Sequence, residues 1–396
     1  MRVLAMTNLY PNPFQPQRAT FNRHRLRILG ESLPVRVIAP IAWTDEWKAR
    51  RGGHPALPAG RSLEFDGMTV AHPRYLFPPK VGRSWYGRFY LESVENAFAK
   101  ALAEFRPTLL FAPWAYPDGW AAVKLGRRAG IPVVIQCHGS DVLLSDRFPS
   151  RRKRTVEAVT AADGVVAVSR DIAEHLTAMG VAPERLRVIY DGVDPAKFYP
   201  GSKSEARDRV GLTGADPVVL FVGNLVPVKA VDVLLMACSL LMRNHFAFRL
   251  IAIGEGPLRP KLEAQTAALG LSDRVRFLGS VPHETLPDWF RASDLFVLPS
   301  HSEGVPTVLL EASACGTPWV ASRVGGIPEI ERTGRSKLVT PNAPVELAAA
   351  IRGHLSAPAS VGAPPPPRPV QAAVRELIAF FESMPRDSNP LKSPYQ

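Results

Sequence analysis

What most narrows the folds open to this chain is a rhythm repeated along most of its 396 residues: a short apolar run, a turn, then a segment of helical period. Strand-like runs fall at 3–6, 35–39, 108–111, 133–137, 164–168 and 187–190, and again at 218–223, 249–253, 275–278, 295–298 and 318–321. Apolar runs of this length, bounded by turn residues, read as buried strands. The clearest helix runs from 84 to 105, where Tyr86, Phe89, Tyr90, Val94, Ala97, Ala101 and Phe105 recur at steps of three and four. That stripe belongs against a core. Strand and helix alternating in this order predict an α/β fold with parallel, doubly wound sheets. The chain is also longer than one core comfortably serves and suits two domains.

The expected boundary lies between about 195 and 216, where GSKSEARDRVGLTGADP is rich in Gly, Ser and charge and precedes the apolar VVLFVGN. This gives a first domain over 1–200, a second over 201–355, and a tail over 356–396. The tail opens with the proline-rich SAPASVGAPPPPRP, which reads as extended, and continues with the helix-like VQAAVRELIAFFESM, which could pack back on the first domain.

Charge is uneven. Residues 1–200 hold 28 Lys/Arg against 18 Asp/Glu, so they carry ten of the twelve net positive charges. The clusters are Arg23, Arg25 and Arg27, then Lys48, Arg50 and Arg51, then RRKR at 151–154. An anionic partner is expected. Nucleic acid fits poorly, because aromatics are not interleaved with the basic groups in any recognition pattern. Cys137, Cys238 and Cys315 are odd in number and far apart, which suggests buried thiols in a reducing cytoplasm. Neither a signal peptide nor an apolar run of membrane-spanning length is expected.

The stretch at 300–329, SHSEGVPTVLLEASACGTPWVASRVGGIPE, concentrates the chemistry. It follows a strand, and Pro306 suits the first position of a helix running through Thr307 and Val308. Ligands of open α/β sheets bind at such strand-to-helix junctions, and the free N–H groups of a helix start attract phosphate. Glu303 and Glu311 frame the junction. Glu311 lies beyond the turn in which a helix dipole explains an acid, and carboxylates are good acceptors for the hydroxyls of a ribose or sugar. His138 ends the strand VVIQC before a glycine turn and points to a ligand-facing edge by the same rule. Asp141 reads as the N-cap of the next helix.

Ser300, the E-x7-E pair, Gly304 and Pro306, EASACGTPWVAS and GGIPE resemble the donor site of retaining glycosyltransferases of the GT-B fold, family 4 (group 1) type, of the kind that build bacterial exopolysaccharides or cell-wall polymers. VGNLVPVKAVDVLL, IGEGPLRPKLE, RVRFLGSVP, YPDGWAA, HGSDV and VIYDGVDPAKF extend the resemblance over roughly residues 1–350. It implies two Rossmann-like domains facing across a cleft. It also implies metal-independent transfer, with retention, from a nucleoside-diphosphate sugar to a glycan or lipid-linked acceptor, with no other cofactor. Gly223, Asn224, Lys229, Gly304, Val305, Pro306, Thr307, Val308 and Glu311 would bind the donor, and His138, Glu303 and Lys229 would carry catalysis. The family usually has arginine and glycine where this chain has Asn224 and Ala230, and it often places glycine in the loop after the first strand, where Arg18 and Ala19 stand. The implied location is cytoplasmic and peripheral at the inner face of the cell membrane.

Two other classes stay open from the residues. A sugar-nucleotide epimerase on the same fold would need no separate acceptor, and a noncatalytic nucleotide-sugar or polyanion binder would tolerate Asn224 and Ala230. A nicotinamide dehydrogenase is disfavoured, because Gly254 and Gly256 lack a third glycine at the required spacing.

Overall fold

A computed structural model describes residues 1–79, 85–332, 334–356 and 368–384. It divides into two compact units, Met1–Tyr190 with Gln371–Gln396, and Asp191–Val370. The proline-rich stretch at 357–367 lies outside the described residues.

The first unit runs β1 (Val3–Met6), α1 (Thr20–Ser32), β2 (Val35–Ile38), β3 (Ile41–Ala42), α2 (Trp43–Arg51), β4 (Ser62–Phe65), β5 (Met68–Ala71), β6 (Arg74–Tyr75) and α3 (Tyr86–Phe105). It continues with β7 (Leu109–Ala112), α4 (Trp120–Ala129), β8 (Val133–Cys137), α5 (Ser140–Leu143), α6 (Pro149–Ala161), β9 (Gly164–Ala167), α7 (Arg170–Ala178) and β10 (Leu186–Val188). The main sheet has the order β10-β9-β8-β7-β1-β2-β5-β4. All its pairings are parallel except the β4–β5 edge hairpin, which turns at Asp66-Gly67 with φ of 51° and 75°. Strands β1, β7, β8 and β9 are buried at every residue, as a sheet covered on both faces requires. Helix α3 buries Tyr90, Leu91, Val94, Phe98 and Ala101. The stripe read from sequence therefore lacks Leu91 and Phe98 and includes Tyr86 and Phe89 from its half-buried flank; Ser84 lies outside the described residues.

The second unit runs α8 (Lys203–Val210), β11 (Val218–Val222), α9 (Val231–Arg243), β12 (Arg249–Ile253), α10 (Arg259–Ala268), β13 (Val275–Gly279), α11 (Leu286–Ala292) and β14 (Leu295–Leu298). Then come α12 (Thr307–Ala314), β15 (Trp319–Ser322), β16 (Ser336–Val339) and α13 (Pro344–Ser356), after which the chain enters α14 (Val370–Glu382) of the first unit. The sheet is wholly parallel in the order β13-β12-β11-β14-β15-β16. Winding reverses between β11 and β14, so the crevice beyond their carboxyl ends is where this topology receives a ligand.

The division between units falls earlier than the linker composition indicates. Val193 and Phe198 are 3% exposed in the core of the second unit, and Val193 exchanges backbone hydrogen bonds with the chain around Pro369. Residues 191–200 are thereby part of that unit, and the charged segment at 203–210 is helix α8 within it. Helix α14 returns to the first unit. Phe381 meets Phe111 edge-on at 5.3 Å, and Val374, Leu377, Phe380 and Phe381 are buried.

Candidate functional site

The loop after β11 is clamped from the neighbouring strand. Gly223 N–H donates to Ile253 O and Leu225 N–H to Glu255 O, both at 2.9 Å. Gly254, at φ 135°, makes this possible, since a Cβ there would lie 2.0 Å from Gly223 O. The glycine pair at 254 and 256 thus serves close backbone packing. A 3-10 turn, Pro227–Lys229, follows, and Ala230 enters α9 in the left-handed conformation, φ 49° and ψ 41°.

The loop after β14 closes on this one. His301 N–H donates to Val228 O at 2.8 Å. Lys229 Nζ donates to Glu303 Oε1 at 2.5 Å, and Ser300 Oγ donates to the same oxygen at 2.6 Å. Ser300 is fully buried, so Glu303 is aimed from below by a fixed hydroxyl and from the side by a cation. Behind it, Gly326 N–H donates to Gly304 O, and Gly325 takes φ 52° where a Cβ would stand 1.8 Å from Glu303 O.

Pro306 is the N-cap of α12, one residue before the first helical position expected for it, and no side chain caps this end. The amides of Gly304, Val305, Thr307 and Val308 donate to no group among the described residues. Unengaged N–H groups at a helix start, beside Lys229, are fixed donors of the kind that anions accept. Asn224 is exposed and adds no charge. Glu311 occupies the second turn of α12 at 7% exposure, where Oε1 accepts from His283 Nε2 at 3.2 Å. Among the described residues no group of three or more His, Cys, Asp and Glu could hold a metal ion, and no helix is long and apolar enough to cross a membrane. The three cysteines are buried thiols.

In the first unit His138 leaves the carboxyl end of β8 between Trp114, stacked at 6.3 Å, and the edge of Phe21 at 5.2 Å. Its Nε2 is enclosed and has no hydrogen-bond partner among the described residues. Burial, and secondarily the Arg25 guanidinium, push its pKa well below the ordinary imidazole value, so the ring is neutral. Asp141 is not a helix cap. It stands inside α5, where Oδ1 accepts from the His138 and Gly139 amides at 3.1 and 2.9 Å and Oδ2 from Ala115 N–H at 3.2 Å. The carboxylate pins the exits of β7 and β8 together and fixes the backbone of His138. Asp118 is likewise fully buried and accepts from Asn8 N–H at 3.0 Å, holding the loop after β1.

Sequence reasoning missed Lys197, His283 and Asp118. His283 carried one usable signal, its place just beyond the carboxyl end of β13; Lys197 and Asp118 lie in VIYDGVDPAKF and YPDGWAA, stretches that carry the resemblance, but nothing in the pattern singled them out.

Comparison with known proteins agrees with this geometry. A family description reading "Glycosyl transferases group 1" matches residues 216–357, and one reading "Glycosyltransferase Family 4" matches 41–197. D-inositol 3-phosphate glycosyltransferase 1 of Catenulispora acidiphila is 33% identical over 340 residues, covering 79% of this chain and 78% of that protein. The chain belongs to the family 4, group 1 glycosyltransferases. Another relative from that organism, D-inositol 3-phosphate glycosyltransferase 2, is 37% identical over 260 residues, and there the match spans 61% of this chain and only 60% of the relative. Among solved structures, sucrose-phosphate synthase from Thermosynechococcus elongatus superposes with a TM-score of 0.76 at 21% identity, covering 96% of this chain and 95% of that one. Anabaena HepE in complex with UDP and glucose does so at 0.74 and 20%, covering 97% and 100%. These likenesses establish the fold, that of the GT-B glycosyltransferases with two Rossmann-like units.

Proposed function

We propose that the chain is a retaining, metal-independent glycosyltransferase that moves a sugar from a nucleoside-diphosphate sugar to a hydroxyl of a glycan or lipid-linked acceptor in envelope or polysaccharide synthesis. The observation that carries the reading is the junction at the reversal of the second sheet, where Lys229, Glu303 and four unengaged amides meet. Departure of a nucleoside diphosphate leaves negative charge on the phosphates and positive charge at the anomeric carbon. Lys229 and the amides of Gly304, Val305, Thr307 and Val308 answer the first as fixed donors, which cost no reorganisation during reaction. Lys229 has three donors and can serve a phosphate while keeping Glu303. Glu303 and His138 are assigned to the sugar, Glu311 to the ribose, and Gly223, Asn224 and Pro306 to the shape of the nucleotide pocket. HepE, whose structures hold UDP and UDP-glucose, makes a UDP-sugar the first donor to try. The positive first unit and relatives named for a phosphorylated polyol favour an anionic acceptor.

A thermal-shift screen of UDP, GDP and ADP, followed by calorimetry and donor turnover, tests the reading. Glu311→Ala should weaken nucleotide binding by about 1.5–3 kcal/mol, the range for hydrogen bonds to a charged group. His138→Ala and Glu303→Gln should depress kcat far more than nucleotide affinity, as groups that act in the transition state do. A wild-type protein that binds none of the three nucleotides, or a Glu311→Ala variant with unchanged affinity, contradicts it. Consumption of donor without acceptor, giving an epimerised sugar, would favour the epimerase.

A further inference from the structure

Glu311 is oriented by residues from outside its own helix. One ring nitrogen of His283, Nε2, meets Glu311 Oε1 at 3.2 Å, and the other, Nδ1, lies 2.5 Å from Lys197 Nζ. An ammonium can only donate, so Nδ1 must present its lone pair, and the ring proton sits on Nε2 facing the carboxylate. The three groups thus form one directed chain from Lys197 through His283 to Glu311. Phe198, 3% exposed in the core, fixes the ring edge-on at 5.6 Å, and Arg291 Nη2 holds the Lys197 carbonyl at 3.3 Å. Burial holds the Lys197 pKa below the ordinary lysine value, and Glu284, Glu311 and Asp194 offset this only in part. The Glu311 side chain is 9% exposed, and His283 is its one partner among the described residues. The relay engages Oε1 and leaves Oε2 for a ligand.

We propose that Lys197 and His283 are positioning residues that hold the Glu311 carboxylate turned so that it accepts the paired hydroxyls of the donor ribose. This rests on the assignment of Glu311 to the ribose, and it adds that the preference for a ribonucleotide is set two residues away from the contact. In this arrangement the tautomer of His283 is dictated by Lys197, so loss of the lysine frees the ring to turn its lone pair toward Glu311.

The test compares affinities of the full chain for UDP and 2′-deoxy-UDP, or for whichever of UDP, GDP and ADP binds tightest and its 2′-deoxy form. The wild type should prefer the ribonucleotide by about 10- to 100-fold. His283→Ala and Lys197→Met should reduce that preference to about threefold or less while leaving the deoxynucleotide affinity unchanged. The double variant should be no worse than His283→Ala, because the pair acts in series. Lys197→Arg, which still donates, should restore most of the preference. A merely structural role would lower both affinities together and would overturn the proposal. So would full preference in both single variants when Glu311→Ala abolishes it, an outcome that leaves the donor site standing. Full preference in Glu311→Ala would instead remove the ribose assignment itself, and with it this proposal. If His283→Ala fails to fold, Lys197→Met and Lys197→Arg make the same comparison.

Discussion

Burial pushes the Asp118 carboxyl from the usual 3.8 up to about 7, and the Asn8 amide only partly offsets this. A group that holds its proton more tightly in the folded state stabilises the fold less as pH rises from its unfolded to its folded pKa. The first unit should therefore lose stability between pH 4 and 7, at up to about 1.4 kcal/mol per pH unit. Asp118→Asn keeps the acceptor for Asn8 and should flatten that slope in thermal unfolding across the range; parallel curves for variant and wild type would rule it out. Such a residue is invisible in sequence, because only the fold shows that the acid of YPDGW has no water. Glu303 and Glu311 were legible because a strand end and a helix start bracket them. The Lys197–His283 link was not, since it joins groups 86 residues apart with no periodicity to announce it. Ala19 and Ala230 fall between these extremes. Their missing glycines were noticeable, and the structure adds that both enter a helix at positive φ, 46° and 49°, a conformation glycine adopts without strain.

At the level of elements, α6 carries its charge at the end that suits it least. RRKR occupies its first two turns, where the helix dipole disfavours cations by about 0.3–1 kcal/mol each. Arg152 pairs with Asp146 at 2.6 Å and Arg154 with Glu157 at 2.7 Å, while Phe148, at the N-cap, is 49% exposed. A second of the three clusters invoked from sequence, Arg23 to Arg27, is not an exposed patch. Asp66 takes Arg23 through two hydrogen bonds, Glu31 takes Arg27, and Arg25 is buried. The proposal of contact with anionic membrane therefore rests on α6 and on the exposed Lys48, Arg50 and Arg51 of α2, whose cations would each contribute about 1 kcal/mol at a lipid surface. Vesicle cosedimentation should rise with anionic lipid, fall with salt, and weaken when 151–154 are made acidic; binding indifferent to all three would discard the idea. Elements built on apolar runs were read correctly from sequence, whereas the β4–β5 hairpin was missed although its Asp-Gly turn is a strong hairpin signal. Strand β16 was missed because SKLV is short and half polar.

For the molecule as a whole, the alternation of strand and helix was enough to foresee two doubly wound units, but the boundary was not, because Val193 and Phe198 look like linker residues until their burial is seen. The same holds for α14. Its Val374, Leu377, Phe380 and Phe381 bury apolar surface worth at most about 6–12 kcal/mol, and Phe380 and Met384 press so closely on Gly164 that a Cβ there would lie 2.9 Å from each. Ending the chain at residue 369 should abolish hydrogen-exchange protection in β7 and β9 and leave β11 and β12 protected; equal loss in both units, or in neither, would contradict the assignment. The return of α14 also means that the second unit is inserted within the first. On the ribosome, 191–370 is made between the two parts of the first unit, and at about 5–20 residues per second that delays α14 by on the order of 10–40 s. Throughout that interval the sheet of the first unit waits with the faces of Phe111 and Gly164 uncovered, so the nascent chain passes through a stage at which its earliest-made half is the one exposed to aggregation and to chaperones.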